Sequence, residues 1–443
     1  MDTSEIIKKL GSSNVSDFMF NSMNNSIRKY YNFNGDVNWY NPNIDYFTKY
    51  HHNTVKLNNH YNMIRLYKRK NRIKSIGYVY KALIKKDNKT FFDDVFVKEL
   101  PVINSNLYPI VKMRIPFSIS PINSKYNSCV YDKSSAVNVE IFVSYLVSKL
   151  RELNVSPSFL KFYGCNQINL NKFTYSIGDE PDMQSLSEDD NSCSIFYGED
   201  DVYLEIYDMP TYLLSVEKAD VDIDTLKLLP NLDNNMITSL VFQLFSAIIS
   251  MYNLFGIKHN DLHLGNIMFS RTKKEYLYYK VDNSYYRVPT YGFEAKIIDW
   301  GRATYSFYGF KGKNSTFDVD GECFGQYRFN KLGNSKKSVE LDYNKYSDIV
   351  MLSHNFLYDF RQIRNKKLGK FLKNIITSCD GGMLNYTKFE WGIYREIGTK
   401  KFNIRPRNII KNKVFSGFLM KSNEHISNGT IYKVTLDKSN YAL

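Results

Sequence analysis

Two short stretches of the sequence combine carboxylates with an amide at a spacing that suits phosphoryl transfer. The first supplies Asp261 and, five positions later, Asn266; the second supplies Asp299, which ends a short apolar run and is followed by a tryptophan and a glycine. Phosphoryl transfer needs a carboxylate that orients the attacking hydroxyl, and a carboxylate and an amide that hold Mg²⁺ against nucleotide phosphates. Asp and Asn also serve as ordinary turn residues. The order, the spacing and the flanking apolar segments favour the catalytic interpretation.

The residues around these two stretches predict the elements that must hold them. Residues 235–255 place apolar side chains at helical spacing, and Gly256 follows as a typical helix C-cap, so a helix should lead into the first stretch. The apolar run 267–269 and the segment 296–298, in which two isoleucines follow a lysine, predict two strands, and residues 275–288 between them predict a β-hairpin. Each acidic motif therefore lies beside a predicted strand.

The first half of the chain predicts a β-rich region with one helix. Strands are expected at 75–84, 95–100 and 203–207, with Pro210 closing the last, and a helix is expected over 134–153. The predicted organisation is an N-terminal extension over 1–65, a smaller β-rich domain over 66–212 with insertions near 101–132 and 178–201, and a larger, mostly helical domain over 213–443.

Composition bounds the class of protein. The 443 residues are 43% hydrophobic, which predicts a globular chain with substantial cores. The five cysteines lack metal-binding spacing and suit a reducing compartment. The first ten residues lack an apolar signal core, and no uninterrupted run of 18 apolar residues occurs, so we expect neither a signal peptide nor a transmembrane helix. The net charge of +14 is interpreted as a surface bias spread along the chain, with nucleic acid not expected as a specific ligand.

Over about residues 73–360 the chain resembles the protein-kinase-like superfamily, and most closely the serine/threonine protein kinases of large cytoplasmic DNA viruses. The resemblance rests on the two acidic motifs, on residues 288–292 running into 296–299, and on Asp-Gly-Glu at 320–322 followed by Gly-Gln-Tyr at 325–327. It implies an α+β, two-lobed fold with a small β-rich N-lobe and a larger, mainly helical C-lobe. It further implies ATP and Mg²⁺ as cofactors, a protein substrate, and an intracellular location in host cytoplasm or virion for a viral protein.

The resemblance also assigns roles residue by residue. Asp261 is similar to the catalytic aspartate, Asn266 and Asp299 to the two metal ligands, and His259 to the histidine that opens the catalytic loop. Lys98 resembles the strand lysine that grips the α- and β-phosphates, and Glu140 its ion-pair partner, with Glu152 as the rival. The remaining assignments are Gly77 and Val79 at the nucleotide, His263 in the catalytic loop, and Asp348 as the helix aspartate that braces that loop.

Several positions depart from the family pattern. Of the three glycines of the usual phosphate-covering loop only Gly77 remains, and Arg72 and Lys74 stand where the others would be, so we expect these basic side chains to face the phosphates. His263 replaces the usual lysine of serine/threonine kinases, and Trp300 replaces the usual phenylalanine. No Ala-Pro-Glu closes the segment after Asp299, so regulation by phosphorylation of that segment is not expected.

Three functions remain open at this level. The His263 motif is also used by aminoglycoside- and choline-type small-molecule phosphotransferases, and the lost glycines suit a catalytically weak pseudokinase scaffold. A protein kinase acting on Ser or Thr is favoured because residues 304–330 lack a long amphipathic helix, which predicts an exposed segment and an open groove. A net positive charge further favours, weakly, acidic sequences around the target hydroxyl.

Overall fold

The structure is a computed structural model that describes residues 15–31, 37–39, 61–73, 77–87, 89–102, 134–176, 193–197, 202–230, 232–307, 310–312, 314–317, 323, 326–327, 345–387, 392–421, 424, 426 and 429–437. Most of both predicted insertions, the Lys74 position, the Arg72 side chain and the Asp-Gly-Glu motif lie outside the described residues. Contacts divide the chain into two compact units: Met1–Phe142 with Lys161–Lys218, and Val143–Leu160 with Ala219–Leu443.

The first unit is built on an antiparallel sheet of seven strands. They are β1 (Asn38–Trp39), β2 (Tyr61–Ile73), β3 (Gly77–Lys86), β4 (Lys89–Pro101), β5 (Phe162–Ser176), β6 (Cys193–Tyr197) and β7 (Val202–Glu217), in the order β1-β5-β7-β4-β3-β2, with β6 also paired to β7. The β3–β4 hairpin turns at Asp87, whose φ of 51° is left-handed, a conformation that Asp tolerates better than most residues. The predicted strands are present, and most are longer than the sequence indicated.

The N-terminal helix α1 (Val15–Tyr31) covers one face of this sheet. Met23 and Ile27 are buried in the same cluster as Tyr80, Val95 and other inward side chains of the sheet. Cross-strand partners share a face, and successive residues alternate between faces. Parts of the region predicted as a separate extension therefore belong to the core of the first unit, because the sheet has an apolar face that needs a cover.

The prediction that Pro210 ends a strand is wrong, since β7 continues to Glu217. Pro210 lies opposite Asn169 of β5, and its carbonyl accepts a hydrogen bond of 2.9 Å from the N–H of Val102, one residue past the end of β4. A residue's N–H and C=O point to the same side of a strand. The N–H that proline lacks would therefore point towards the end of β4, where the ladder of hydrogen bonds between β4 and β7 stops. A proline costs little at such a position.

The second unit is organised around a buried helix, α4 (Asn234–Phe255), which confirms the predicted helix. Asp233 caps its first turn, and Gly256 ends it in a left-handed conformation with a φ of 58°. Within the described part of the chain, this helix could cross a membrane if judged by length and composition alone. However, 94% of its most apolar 18-residue segment is buried within the protein. Packing in the core of the unit accounts for its apolar character.

Strands and smaller helices surround α4. They are helices α2 (Ala136–Glu152, which enters the unit at Val143), α3 (Ile223–Lys227), α5 (Ser347–Asp359), α6 (Lys367–Ile375), α7 (Gly392–Thr399) and α8 (Pro406–Ile410), and strands β8 (Val221–Asp222), β9 (Ile267–Arg271), β10 (Tyr276–Val281), β11 (Ser284–Pro289), β12 (Phe293–Ile297), β13 (Tyr305–Phe307), β14 (Phe310–Gly312) and β15 (Ile431–Val434). The predicted hairpin is β10–β11, and the two predicted motif strands are β9 and β12, which pair antiparallel. The chain is thus a mixed α+β protein, with its large sheet in one unit and most of its helices in the other.

Candidate active site

A loop between α4 and β9 carries Asp261, and Asp348 of α5 binds the backbone of this loop. The Asp348 carboxylate accepts hydrogen bonds from the backbone N–H groups of His259 and Asn260, at 2.7 and 3.0 Å. Asp348 is buried, and burial raises its pKa, while His259 and the two backbone donors act in the opposite direction. Asp348 is not the N-cap of α5, because Tyr346 occupies that position.

The Asp261 side chain is 14% exposed, and both of its oxygens have partners. Oδ1 accepts a hydrogen bond of 2.7 Å from the Tyr394 hydroxyl of α7. Oδ2 lies 3.2 Å from an Arg302 guanidinium nitrogen and 3.8 Å from Nε2 of His263. A carboxylate with the Arg302 cation at one oxygen is held in place and is able to accept a proton from a hydroxyl placed against its other oxygen.

His263 and Gly265 shape the turn between Asp261 and Asn266. Nδ1 of His263 accepts the N–H of Gly265 at 3.1 Å, and a Cβ added to Gly265 would lie 2.8 Å from the imidazole ring. The glycine therefore allows the ring to lie over the backbone. Burial lowers the pKa of His263, although the neighbouring Asp261 opposes that shift. A lower pKa favours the neutral imidazole at neutral pH, where a kinase lysine would be charged.

The side chain of Asn266 is fixed through its amide nitrogen. Nδ2 donates to the backbone carbonyl of Asp261 at 2.9 Å and lies 3.3 Å from Nε2 of His263. The hydrogen bond to Asp261 uses the nitrogen end of the amide, so the oxygen end is the one suited to a metal ion.

Asp299 follows β12 and is tied to the same loop through the backbone. The N–H of Ile298 donates to the carbonyl of Asn266 at 3.0 Å, and Nε2 of His259 is 2.8 Å from the carbonyl of Ile298. Asp299 is exposed and has a φ of 67°. This left-handed backbone is uncommon for a residue other than glycine and is typical of constrained functional positions. The structure thus brings the two acidic motifs together.

In the first unit, Lys98 and Glu140 form an ion pair. Nζ of Lys98 lies 2.6 Å from Oε1 of Glu140, and the two side chains are 14% and 3% exposed. The rival Glu152 pairs instead with Lys149, at 2.9 Å. The Lys98 side chain lies on the face of the sheet opposite the face that α1 covers. On that face it meets Glu140 of α2.

Gly77 is the partner of Lys98 across the β3–β4 ladder. A Cβ at Gly77 would lie 2.2 Å from the carbonyl oxygen of Val97, far inside van der Waals contact. The close approach of the two strands therefore requires a glycine at this position. Val79, two residues further along the same face, is buried opposite Phe96.

The prediction that residues 304–330 form an exposed segment is wrong for the described part of that segment. Side chains there are buried at Asn314, Thr316, Phe317, Cys323 and Tyr327. Asn314 donates to the carbonyls of Gly301 and Ala303 at 2.8 and 2.9 Å, and the Tyr327 hydroxyl donates to the carbonyl of Asn260. Asn314 therefore binds the segment to the residues that follow Asp299, and Tyr327 binds it to the loop of Asp261.

Sequence reasoning missed Arg302 and Tyr394. Arg302 stands three residues after Asp299, and a basic residue that close to a catalytic motif was a usable signal. Tyr394 lies 133 residues from Asp261 and has no local pattern that distinguishes it from the other 35 tyrosines.

Comparison with known proteins supports a kinase-like relationship. The chain is 28% identical over 195 residues to the probable serine/threonine-protein kinase 380R of Invertebrate iridescent virus 6. The match covers 41% of this chain and 34% of that relative, so the chain spans about a third of the relative's length. No family model matches the chain.

Proposed function

We propose that the protein is an ATP- and Mg²⁺-dependent protein kinase that transfers the γ-phosphate to Ser or Thr hydroxyls. One observation carries the proposal: the backbone bond between Ile298 and Asn266 brings Asp299 beside the loop on which Asp348 holds Asp261. A proton acceptor and two oxygen ligands for a metal then lie on two segments joined by hydrogen bonds, as phosphoryl transfer requires. The similarity to a probable viral kinase supports the same reaction class.

Each side chain has a role in this reaction. Asp261 accepts or steers the proton of the acceptor hydroxyl, and the cation of Arg302, 3.2 Å from Oδ2, keeps its carboxylate oriented. Asn266 and Asp299 would hold Mg²⁺, an ion that binds few protein oxygens and completes its shell with phosphates and water. A Mg²⁺ ion held by these two side chains would offset negative charge on the phosphates. Lys98, oriented by Glu140, would bind the α- and β-phosphates.

The distribution of charge supports a protein acceptor with acidic residues near the target hydroxyl. The expectation of an even spread is wrong: 15 of the 59 Lys and Arg residues, but only three of the 45 Asp and Glu residues, lie between Arg361 and Lys421. Most of the net charge of +14 therefore lies in this stretch. The stretch includes α7, the helix whose Tyr394 donates a hydrogen bond to Asp261.

Helix α6 presents the densest part of this charge. Leu368, Phe371, Leu372 and Ile375 are buried on one side, while Lys366, Lys367 and Lys370 are exposed on the other. We call these three lysines the α6 basic face. Long exposed lysines are suited to attract acidic peptide segments through salt-sensitive, long-range interaction.

A small-molecule phosphotransferase is the second candidate. The burial of Asp261 and of the described side chains between Asn314 and Tyr327 favours it, because a small acceptor binds in an enclosed pocket. A catalytically weak pseudokinase is the third outcome. It would bind nucleotide through Lys98 without transferring phosphate.

The test is transfer of radioactive phosphate from ATP with Mg²⁺, offered to a peptide library, to protein mixtures and to aminoglycosides and choline. Asp261→Asn should lower kcat by about 10²–10⁴-fold with little change in ATP affinity. Asp299→Ala should abolish the Mg²⁺-dependent transfer while leaving the fold intact. Asp224→Asn, an 86% exposed aspartate of the same unit, is the control. Labelling of small molecules alone would refute the protein acceptor, and nucleotide binding without any transfer would indicate a pseudokinase.

A further inference from the structure

We propose that the hydroxyl of Tyr394 occupies the position of the acceptor hydroxyl, so that Tyr394 determines which acceptors reach Asp261. The inference rests on the proposed function, since it takes Asp261 as the group that receives the acceptor's proton. A hydroxyl that is about to be phosphorylated donates a hydrogen bond to that carboxylate. The Tyr394 hydroxyl donates this bond to Oδ1 of Asp261, at 2.7 Å.

The position of Tyr394 is set by the packing of its ring and its helix, and not by its hydrogen bond to Asp261 alone. Its ring meets the ring of Tyr327 edge to face, with centroids 5.5 Å apart. On the same helix a Cβ added to Gly398 would lie 2.4 Å from the backbone oxygen of Tyr327, so α7 is seated closely against this residue. Ile393 and Ile397 of α7 are buried as well. Tyr327 in turn donates its hydroxyl to the carbonyl of Asn260, next to Asp261.

The surroundings leave an incoming hydroxyl little choice of position. Arg302 lies at Oδ2 of Asp261, and the carboxylate as a whole is 14% exposed. Burial, with Asp261 nearby, raises the pKa of Tyr394, so its phenol remains protonated and acts as the donor. An acceptor hydroxyl must therefore take over the hydrogen bond that Tyr394 now makes. An acceptor that binds tightly enough to displace the Tyr394 hydroxyl gains access to Asp261, whereas an acceptor that binds too weakly to displace it does not.

The experiment compares Tyr394→Phe with the wild type in steady-state transfer. This variant keeps the ring that packs on Tyr327 and removes only the hydroxyl. The KM for the acceptor should fall about tenfold, which is the value expected for the loss of one competing hydrogen bond to a charged group, while kcat stays the same or rises. Hydrolysis of ATP by water should also increase. Tyr291→Phe, at an exposed tyrosine of the same unit, should change none of these values.

An unchanged KM together with a lower kcat would overturn the proposal, because Tyr394 would then position Asp261 for catalysis. The contact itself has a readout that needs no activity. In a double-mutant cycle of Tyr394→Phe and Asp261→Ala, the changes in unfolding free energy should be non-additive. Additive shifts would show that the two side chains do not interact, and the inference would fall. If the cycle shows coupling but neither the wild type nor Tyr394→Phe transfers phosphate to any acceptor or to water, it is the proposed function that fails.

Discussion

Asp348 accepts a hydrogen bond of 2.7 Å from the backbone N–H of His259, a residue 89 positions earlier in the chain. Together with the bond from Asn260, this contact satisfies two backbone donors that are buried in the loop before Asp261. Buried N–H groups require partners. The same carboxylate therefore stabilises the fold and orients the candidate catalytic residue without reaching it.

Asp348→Asn should weaken the protein and its activity together. The amide offers one acceptor oxygen where the carboxylate offered two, so one backbone donor loses its partner at a cost of about 1–3 kcal/mol. Denaturant unfolding and phosphate transfer would measure both effects. Asp359→Asn, on the same helix but paired with Lys227, is the control and should leave kcat unchanged. A stable Asp348→Asn variant with full turnover would contradict the bracing role.

The Lys98–Glu140 pair allows stability and nucleotide binding to be separated. Lys98→Met leaves the buried Glu140 without its cation and should cost up to about 3 kcal/mol, together with a large rise in the KM for ATP. Lys98→Met combined with Glu140→Met should recover most of the stability, because no uncompensated charge remains, but none of the activity. Glu152→Gln, at the rival carboxylate that pairs with Lys149, should leave the KM for ATP unchanged.

Gly77→Ala should destabilise the first unit. The added methyl would overlap the carbonyl of Val97, so β3 and β4 must separate beside Lys98. We expect a loss of about 1–3 kcal/mol in unfolding free energy, the usual range for overpacking. Gly417→Ala is the matched control, since a Cβ there meets nothing within 4 Å. Equal effects of the two changes would show that β3 can shift to accommodate a side chain.

Glu294 should make the second unit sensitive to acid. Burial alone would raise its pKa, but Lys296 and Lys274 together lower it to about 2 from the ordinary 4.5. A lowered folded-state pKa gives stability that is complete above about pH 4.5 and is lost as the pH falls towards 2, amounting to about 3 kcal/mol. Unfolding followed at pH 7 and at pH 3 would measure this loss. Glu294→Gln should flatten the pH dependence while lowering stability at pH 7, because the buried Lys296 loses the negative charge beside it.

The α6 basic face should contribute to acceptor recognition. Lys367→Glu with Lys370→Glu should raise the KM for acidic peptides about two- to fivefold, as expected for exposed charges, and the effect should shrink at high salt. Neutral peptides and ATP should keep their KM values. Lys273→Glu, an exposed charge elsewhere in the second unit, serves as the control. A similar rise for acidic and neutral peptides would point to a general disturbance of the site.

Local sequence patterns predicted much of the framework. The helix 234–255, its Gly256 cap and the hairpin at Asp282 follow from apolar spacing and turn chemistry that are complete within short windows. The same holds for the Asp261 and Asp299 motifs and their flanking strands. The Lys98–Glu140 pair was anticipated through the family resemblance, which carries long-range information that spacing alone does not.

Only the tertiary structure determined the partners of Asp261 and the burial around it. Tyr394, the buried side chains between Asn314 and Tyr327, and the docking of α1 on the sheet all depend on contacts between segments far apart in the chain. Such contacts are selected by shape and by the burial of apolar area over a whole unit, and no short stretch of sequence reveals them. The residue types for phosphoryl transfer could therefore be recognised from the sequence, whereas the access of an acceptor to them depends on how α7 packs.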